Sequence, residues 1–166
     1  SICGAYEPAE LVNGYYEIYN AGNLFWFAEY VNTIDRTASA KLMNDIDLEG
    51  RPWTPIGFTG EENKNFRGHF DGNGKTITGL NVEVTRSGGG FFGEVRLGTV
   101  EDFTIYGEVK LNGQHSYVGG VIGSAPGANS NQPEHNGATI RNITSYVNVT
   151  LGEGSHGSNH VAGFIG

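Results

Sequence analysis

Basic residues are scarce in this chain. Ten Lys and Arg stand against eighteen Asp and Glu, giving a net charge of −8, and the few cations are scattered singly. A nucleic-acid binder needs a basic stripe to neutralise phosphates and release counterions, so that class is set aside. An acidic surface repels anionic lipid headgroups in the same way. Cys3 is the only cysteine, which excludes an internal disulfide. It leaves either an unpaired thiol near a terminus, or a link to another chain or an anchor in a precursor. No apolar run approaches the roughly 20 residues of a membrane-spanning helix, so no membrane insertion is expected within this chain. No secretory signal is present, and the first residue is Ser1 rather than Met, so the expectation is a chain processed or cut from something longer.

What is abundant is glycine, with 27 residues in 166, roughly twice the usual share of about 7%. Together with many Asn, Thr, Ser and Tyr, it suits turns and β-strands better than helices. The apolar residues recur in short ordered runs, which argues against disorder.

One phrase returns three times, as Gly89-Gly-Phe-Phe-Gly93, Gly119-Gly-Val-Ile-Gly123 and Ala162-Gly-Phe-Ile-Gly166. The copies are 30 (122 − 92) and 43 (165 − 122) residues apart. Treating the polar stretch 124–137 as a loop insertion reduces the second spacing to 29, close to the first. A second phrase, apolar-x-x-apolar-x-apolar, occurs as Ile77, Leu80, Val82, again as Val100, Phe103, Ile105, and again as Ile140, Ile143 with Ser145 in the third slot. Such alternation buries one strand face and wets the other. Glycine in the first phrase permits the positive φ of a tight corner and lets adjacent backbone pass closely, so glycine corners are expected to join the strands. Each unit is then expected to be a coil of short strands that buries its apolar face only when stacked on its neighbours.

The first 60 residues differ and are expected to form a capping segment, with residues 61–166 forming the repeats. Asn23 is the expected N-cap of a helix over residues 23–32, carrying Leu24, Phe27, Ala28 and Val31 on one face. A strand is expected over 41–48, before Pro52, Pro55 and Gly57 break the chain. The helix would protect the exposed edge of the first coil.

These phrases, taken in order, resemble GLUG-motif repeat proteins of bacterial cell surfaces. The resemblance is carried by Asn23-Leu-Phe-Trp-Phe-Ala-Glu-Tyr-Val-Asn32, Ala40-Lys-Leu-Met-Asn-Asp-Ile-Asp-Leu48, Trp53-Thr-Pro-Ile-Gly57, Phe66-Arg-Gly-His-Phe-Asp-Gly-Asn-Gly-Lys-Thr-Ile77 and the glycine phrases, so it covers residues 23–166. It implies an all-β fold, a right-handed parallel β-helix or related β-solenoid with a short N-terminal helix as cap. It also implies an extracellular or cell-surface location, similar to noncatalytic segments of IgA-specific metallopeptidases and adhesins. The His-Glu-x-x-His zinc motif of such peptidases is missing.

No catalytic, cofactor-binding or metal-binding residue is assigned. Asp45 and Asp47 share one strand face, which suits a calcium site or the acid pair of a polysaccharide-cleaving enzyme, and equally a solvated face. Asp71-Gly-Asn73-Gly opens like a calcium loop, but Lys75 and Val82 occupy later ligand positions, so a tight turn is expected. His69, His115, His135, His156 and His160 lack the partners of a zinc set. Gly152-Glu-Gly-Ser155-His-Gly lacks the strand-to-helix context of a nucleophile elbow, and Gly88-Gly-Gly90 lacks the Lys-Ser/Thr of a phosphate loop. The triplets Asn142-Ile-Thr144 and Asn148-Val-Thr150 match the N-glycosylation pattern, which chance supplies readily in an Asn- and Thr-rich chain. Tyr15, Tyr16, Tyr19, Trp26 and Trp53 offer a surface for glycans.

Three functions follow from these features: a noncatalytic structural or adhesive module, a carbohydrate-binding module, or a β-helix enzyme acting on polysaccharide. Expected partners are further repeats or other copies of the chain at the open C-terminal coil edge, the latter giving a head-to-tail filament, and glycans or host surface proteins.

Overall fold

The computed structural model describes residues 6–57, 64–85, 88–114, 116–126, 137–153, 155 and 159–166. Among the described residues, eleven strands and one helix run in the order β1 (Glu10–Val12), β2 (Tyr15–Ile18), α1 (Ala21–Thr33), β3 (Ala40–Leu42), β4 (Ile46–Asp47), β5 (His69–Val84), β6 (Phe92–Glu94), β7 (Thr99–Leu111), β8 (Tyr117–Val118), β9 (Ile122–Ser124), β10 (Thr139–Leu151) and β11 (His160–Val161). The described residues are therefore mostly β-strand with one short helix.

The main sheet has the order β1-β2-β3-β5-β7-β10, with β4 also paired to β5. Every pair in it is parallel except β1 with β2. Two smaller parallel ladders run beside it. One carries Ile56, Phe92, Ile122 and Ile165 in register, and the other Gly89, Val118 and Val161. The three copies of the glycine phrase thus stack on one another. A fourth copy that the repeat spacing does not reveal, Ile56-Gly57, begins the stack, with the Gly93 N–H donating to Ile56 O at 2.8 Å.

The apolar-x-x-apolar-x-apolar phrase has a backbone cause. Strict alternation from Val100 would point residue 102 inward, but Asp102 sits at φ 61° and Asn142 at φ 53°. A left-handed residue inserts one position and resets the phase, so Val100, Phe103 and Ile105 are all buried. Val100, Phe103 and Ile105 face Ile140, Ile143 and Ser145, as the spacing predicts.

The first copy is a correction. Ile77 faces Ile105, and it is Phe70 that faces Val100. The difference arises at Asp71-Gly-Asn73-Gly, where the register shifts. Instead of a turn between strands, this segment is an irregularity inside β5. Asn73 and Gly74 take φ 51° and 72°, and the Asp71 Oδ1 accepts the Asn73 N–H at 2.8 Å.

The insertion is also redistributed. Eight residues separate Phe92 from Val100 and eighteen separate Ile122 from Ile140, so ten extra residues lie between β9 and β10. Three more lie between Leu151 and His160, relative to Leu111 and Tyr117. Residues 127–136, most of the predicted loop, fall outside the described residues.

The helix begins earlier than expected. Asn20, not Asn23, is the N-cap, accepting the Asn23 N–H at 2.8 Å. Asn23 is buried one turn inside, where its Oδ1 accepts the Tyr19 N–H at 3.0 Å and its Nδ2 donates to Glu7 O at 2.8 Å. The helix crosses from β2 to the parallel β3 and buries Leu24, Phe27, Ala28 and Val31. The expected strand over 41–48 is split into β3 and β4.

Buried residues from Ile18 to Val147 form one apolar cluster. Phe70 lies at its centre, with ring centroids of Phe27, Phe91, Phe92 and Phe103 at 6.4, 5.6, 5.4 and 5.4 Å. Such pairs add about 0.5–1.5 kcal/mol each beyond area burial, which binds helix and repeats into one core.

Candidate functional site

The outer face of the main sheet carries a line of polar side chains across the stack. Lys41, Asp71, Glu101 and Arg141 occupy one register position on β3, β5, β7 and β10. Val100 points into the core, so Glu101 points out of it, yet Glu101 is buried because its neighbours close over it. His69 Nε2 meets Glu101 Oε1 at 2.9 Å, and Arg141 Nε pairs with Glu101 Oε2. Tyr15 Oη lies 2.6 Å from His69 Nδ1. The chain Tyr15–His69–Glu101–Arg141 therefore ties β2, β5, β7 and β10 together. Hydrogen bonding from Arg141 is the main cause that holds the Glu101 carboxyl below the usual range; burial opposes it and His69 assists.

The carboxylates singled out by sequence do not converge. Asp45 and Asp47 are exposed on either side of buried Ile46. Asp45 Oδ1 accepts the Thr76 N–H at 2.9 Å, and Asp47 Oδ1 accepts the Glu49 N–H at 2.8 Å. Asp71 instead groups with Glu101 and Asp102, their carboxylate oxygens lying within 4.8 Å of one another. Arg141 and His69 engage Glu101, and the Asn73 N–H engages Asp71, so two of the three carboxylates are already held by neighbours within the protein.

The sugar-stacking set is also rearranged. Trp53 is buried, stacked on Phe91 at 4.9 Å, and its Nε1–H donates to Phe91 O at 3.0 Å. Tyr16 of β2 packs against Trp26 and Tyr30 of α1, which stack on each other. A hydrogen bond with Tyr30 and partial burial push the Tyr16 hydroxyl up to about 12. Tyr15 is committed to His69, and Tyr19 stays exposed. A cleft of about 170 Å³ lies between α1 and residues 52–54, walled by Tyr6, Phe25 and Trp53 with Glu29 and Thr54.

Sequence reasoning missed two exposed ring stacks. Tyr106 and Tyr146 stack at 4.8 Å with an 18° tilt, and Tyr117 and His160 at 4.7 Å with a 7° tilt. For the first pair the signal was available: the 40-residue offset that aligns Val100 with Ile140 also aligns Tyr106 with Tyr146. His115, His135, His156 and Cys3 lie outside the described residues. Asn142 and Asn148 are both exposed on β10.

The glycines of the repeated phrase are needed for close approach. A Cβ on Gly90 would lie 2.6 Å from Gly119 O, and one on Gly120 would lie closer still to Gly163 O. Neither position has a positive φ, so of the two roles considered, it is the stacking distance that requires glycine here.

Over this framework the chain is similar to Halomucin of Haloquadratum walsbyi. The two are 32% identical over 141 residues, a match that takes in 82% of this chain and 1% of Halomucin. No family model matches the chain, and no solved structure matches it. No helix among the described residues is long and apolar enough to cross a membrane.

Proposed function

We propose that the chain is a noncatalytic structural or adhesive module of an extracellular or cell-surface protein, built as a right-handed parallel β-helix of the GLUG-motif type. The observation that carries this reading is the register. Three parallel ladders align residues one repeat apart, and the residues between them are spent on stacking, with an apolar interior. Similarity to Halomucin along most of the chain supports a surface location, since its name describes a mucin. The GLUG resemblance rests on its phrases, now seen as stacked copies. The polysaccharide-cleaving alternative gains no support from Asp45, Asp47 and Asp71, each occupied by a backbone N–H.

Immunogold labelling of thin-sectioned source cells with an antibody to this chain tests the reading. Label on the outer surface is expected, and label confined to the interior overturns it.

A carbohydrate-binding module is the second reading, favoured by the ring-walled cleft beside Glu29. It predicts glycan binding that is lost in Phe25→Ala with the fold intact.

A further inference from the structure

Positions that are equivalent in register differ sharply in burial between the last two repeats. Leu111 and Val118 are 0% exposed, whereas their partners Leu151 and Val161 are 64% and 42% exposed. Val100, Phe103 and Val109 are buried, while Ile140, Ile143 and Val149, which face them, are only partly covered. Polar groups show the same step. Glu101 is enclosed between His69 and Arg141, but the Arg141 side chain is 59% exposed. Both ring stacks also end here, leaving the outer faces of Tyr146 and His160 uncovered by any ring among the described residues. Among the described residues, β10 pairs on one side only, so thirteen residues present an open edge.

We propose that the face formed by β10, β11 and Phe164–Ile165 receives one more parallel repeat, carrying a carboxylate opposite Arg141 and planar rings opposite Tyr146 and His160. This rests on the repeat architecture proposed above. Continuity with the β7/β10 interface fixes the occupant's chemistry. Parallel pairing satisfies the open edge, apolar residues cover Ile143, Val149 and Leu151, and an acid repeats for Arg141 what Glu101 does.

A second copy of this chain stacked head to tail is a poor occupant. Its leading edge would be β1, three residues long and antiparallel to β2, and so running against β10. The helix α1 occupies the core beside that edge.

The chain contains a suitable occupant in its own sequence. Residues 94–123 follow Phe92-Gly93 as a new repeat would follow Ile165-Gly166. When appended after Gly166, a copy of them sets Glu101 opposite Arg141, Tyr106 opposite Tyr146 and Tyr117 opposite His160. Hydrogen exchange of the β10 amides that β7 leaves unpaired is compared between the chain and this extended form. The expected result is at least tenfold slower exchange. Most of that gain is lost when the appended copy alone carries Glu101→Lys, Tyr106→Ala and Tyr117→Ala. An appended copy that stays disordered leaves exchange unchanged and overturns the proposal. So does protection of β10 in the unextended chain that rises with its own concentration, since the occupant is then a second copy. If the extended form precipitates, the free peptide 94–123 is added to the unmodified chain. Slowed β10 exchange supports the proposal, and unchanged exchange at millimolar peptide overturns it. These outcomes are independent of where the antibody labels the cell, so failure here and failure of the surface reading are separate results.

Discussion

Gly90, Gly120 and Gly163 occupy the same position in three copies of one phrase, and alanine substitution at each makes a matched series. At Gly90 a Cβ would sit 2.6 Å from Gly119 O and 2.9 Å from Val121 C, both backbone atoms of the next repeat. Comfortable carbon contacts lie at roughly 3.5–4.0 Å, so the stack must open by roughly half an ångström or more. No flexible side-chain end can yield instead. At Gly120 the obstruction is Gly163 O, with Val147 Cβ also close at 3.2 Å. Overpacking of this kind costs about 1–3 kcal/mol. At Gly163 nothing lies within 4 Å, and the same change ranges from neutral to about 1 kcal/mol stabilising, by reducing the freedom of the unfolded chain. Urea unfolding followed by tryptophan fluorescence reads the difference, because Trp53 is buried against Phe91. With a slope of about 2 kcal/mol per molar urea, Gly90→Ala and Gly120→Ala lower the midpoint by about 0.5–1.5 M, while Gly163→Ala leaves it unchanged or raises it. Equal losses at all three positions would refute the reasoning, because the glycine would then serve the conformation of the phrase itself.

Three further predictions concern the core, the cap and the charge line. Trp53→Ala destabilises by about 3–5 kcal/mol in thermal or urea unfolding, because the indole is buried against Phe91. Asn20→Ala removes the cap and costs about 1 kcal/mol, while Asn23→Ala costs more because it strips the Tyr19 N–H and Glu7 O of a buried partner; circular dichroism melts rank the two. Glu101 has a depressed carboxyl pKa when folded, so its contribution is fully present above the unfolded value of about 4.3 and fades as pH falls through the folded value. The stability gap between wild type and Glu101→Gln is thus largest at pH 6, about 1–3 kcal/mol, and shrinks on acidification towards pH 2. A gap that widens on acidification contradicts the assigned sign.

Much of the strand content was legible because side-chain alternation is a local signal. The stacked glycine phrases and the Val100/Ile140 pairing follow directly from spacing. What could not be read were the places where backbone conformation resets the count. Asp71-Gly-Asn73-Gly signals a turn in any local sense, and only pairing with β7 turns it into an irregularity within one strand. Ile56-Gly57 lacks the leading glycine pair, so its membership in the repeat appears only through the bridge to Phe92. Asn20 and Asn23 are both capping residues, and burial decides between them. The Tyr15–His69–Glu101–Arg141 line joins residues 32–54 positions apart, a proximity that only the stacked register creates.

The thirteen surplus residues of the last repeat have a consequence for how such a chain tolerates change. They fall at two corners, between β9 and β10 and between β10 and β11, while β10 keeps a constant offset of 40 from β7 along its length. Length and register are therefore uncoupled at those corners. Residues added between Ser124 and Thr139 leave the pairing offset of β10 unchanged, whereas one residue added inside β10 would turn every following side chain to the wrong face. The corners, not the strands, are where a protein of this kind can diversify what it shows to its surroundings.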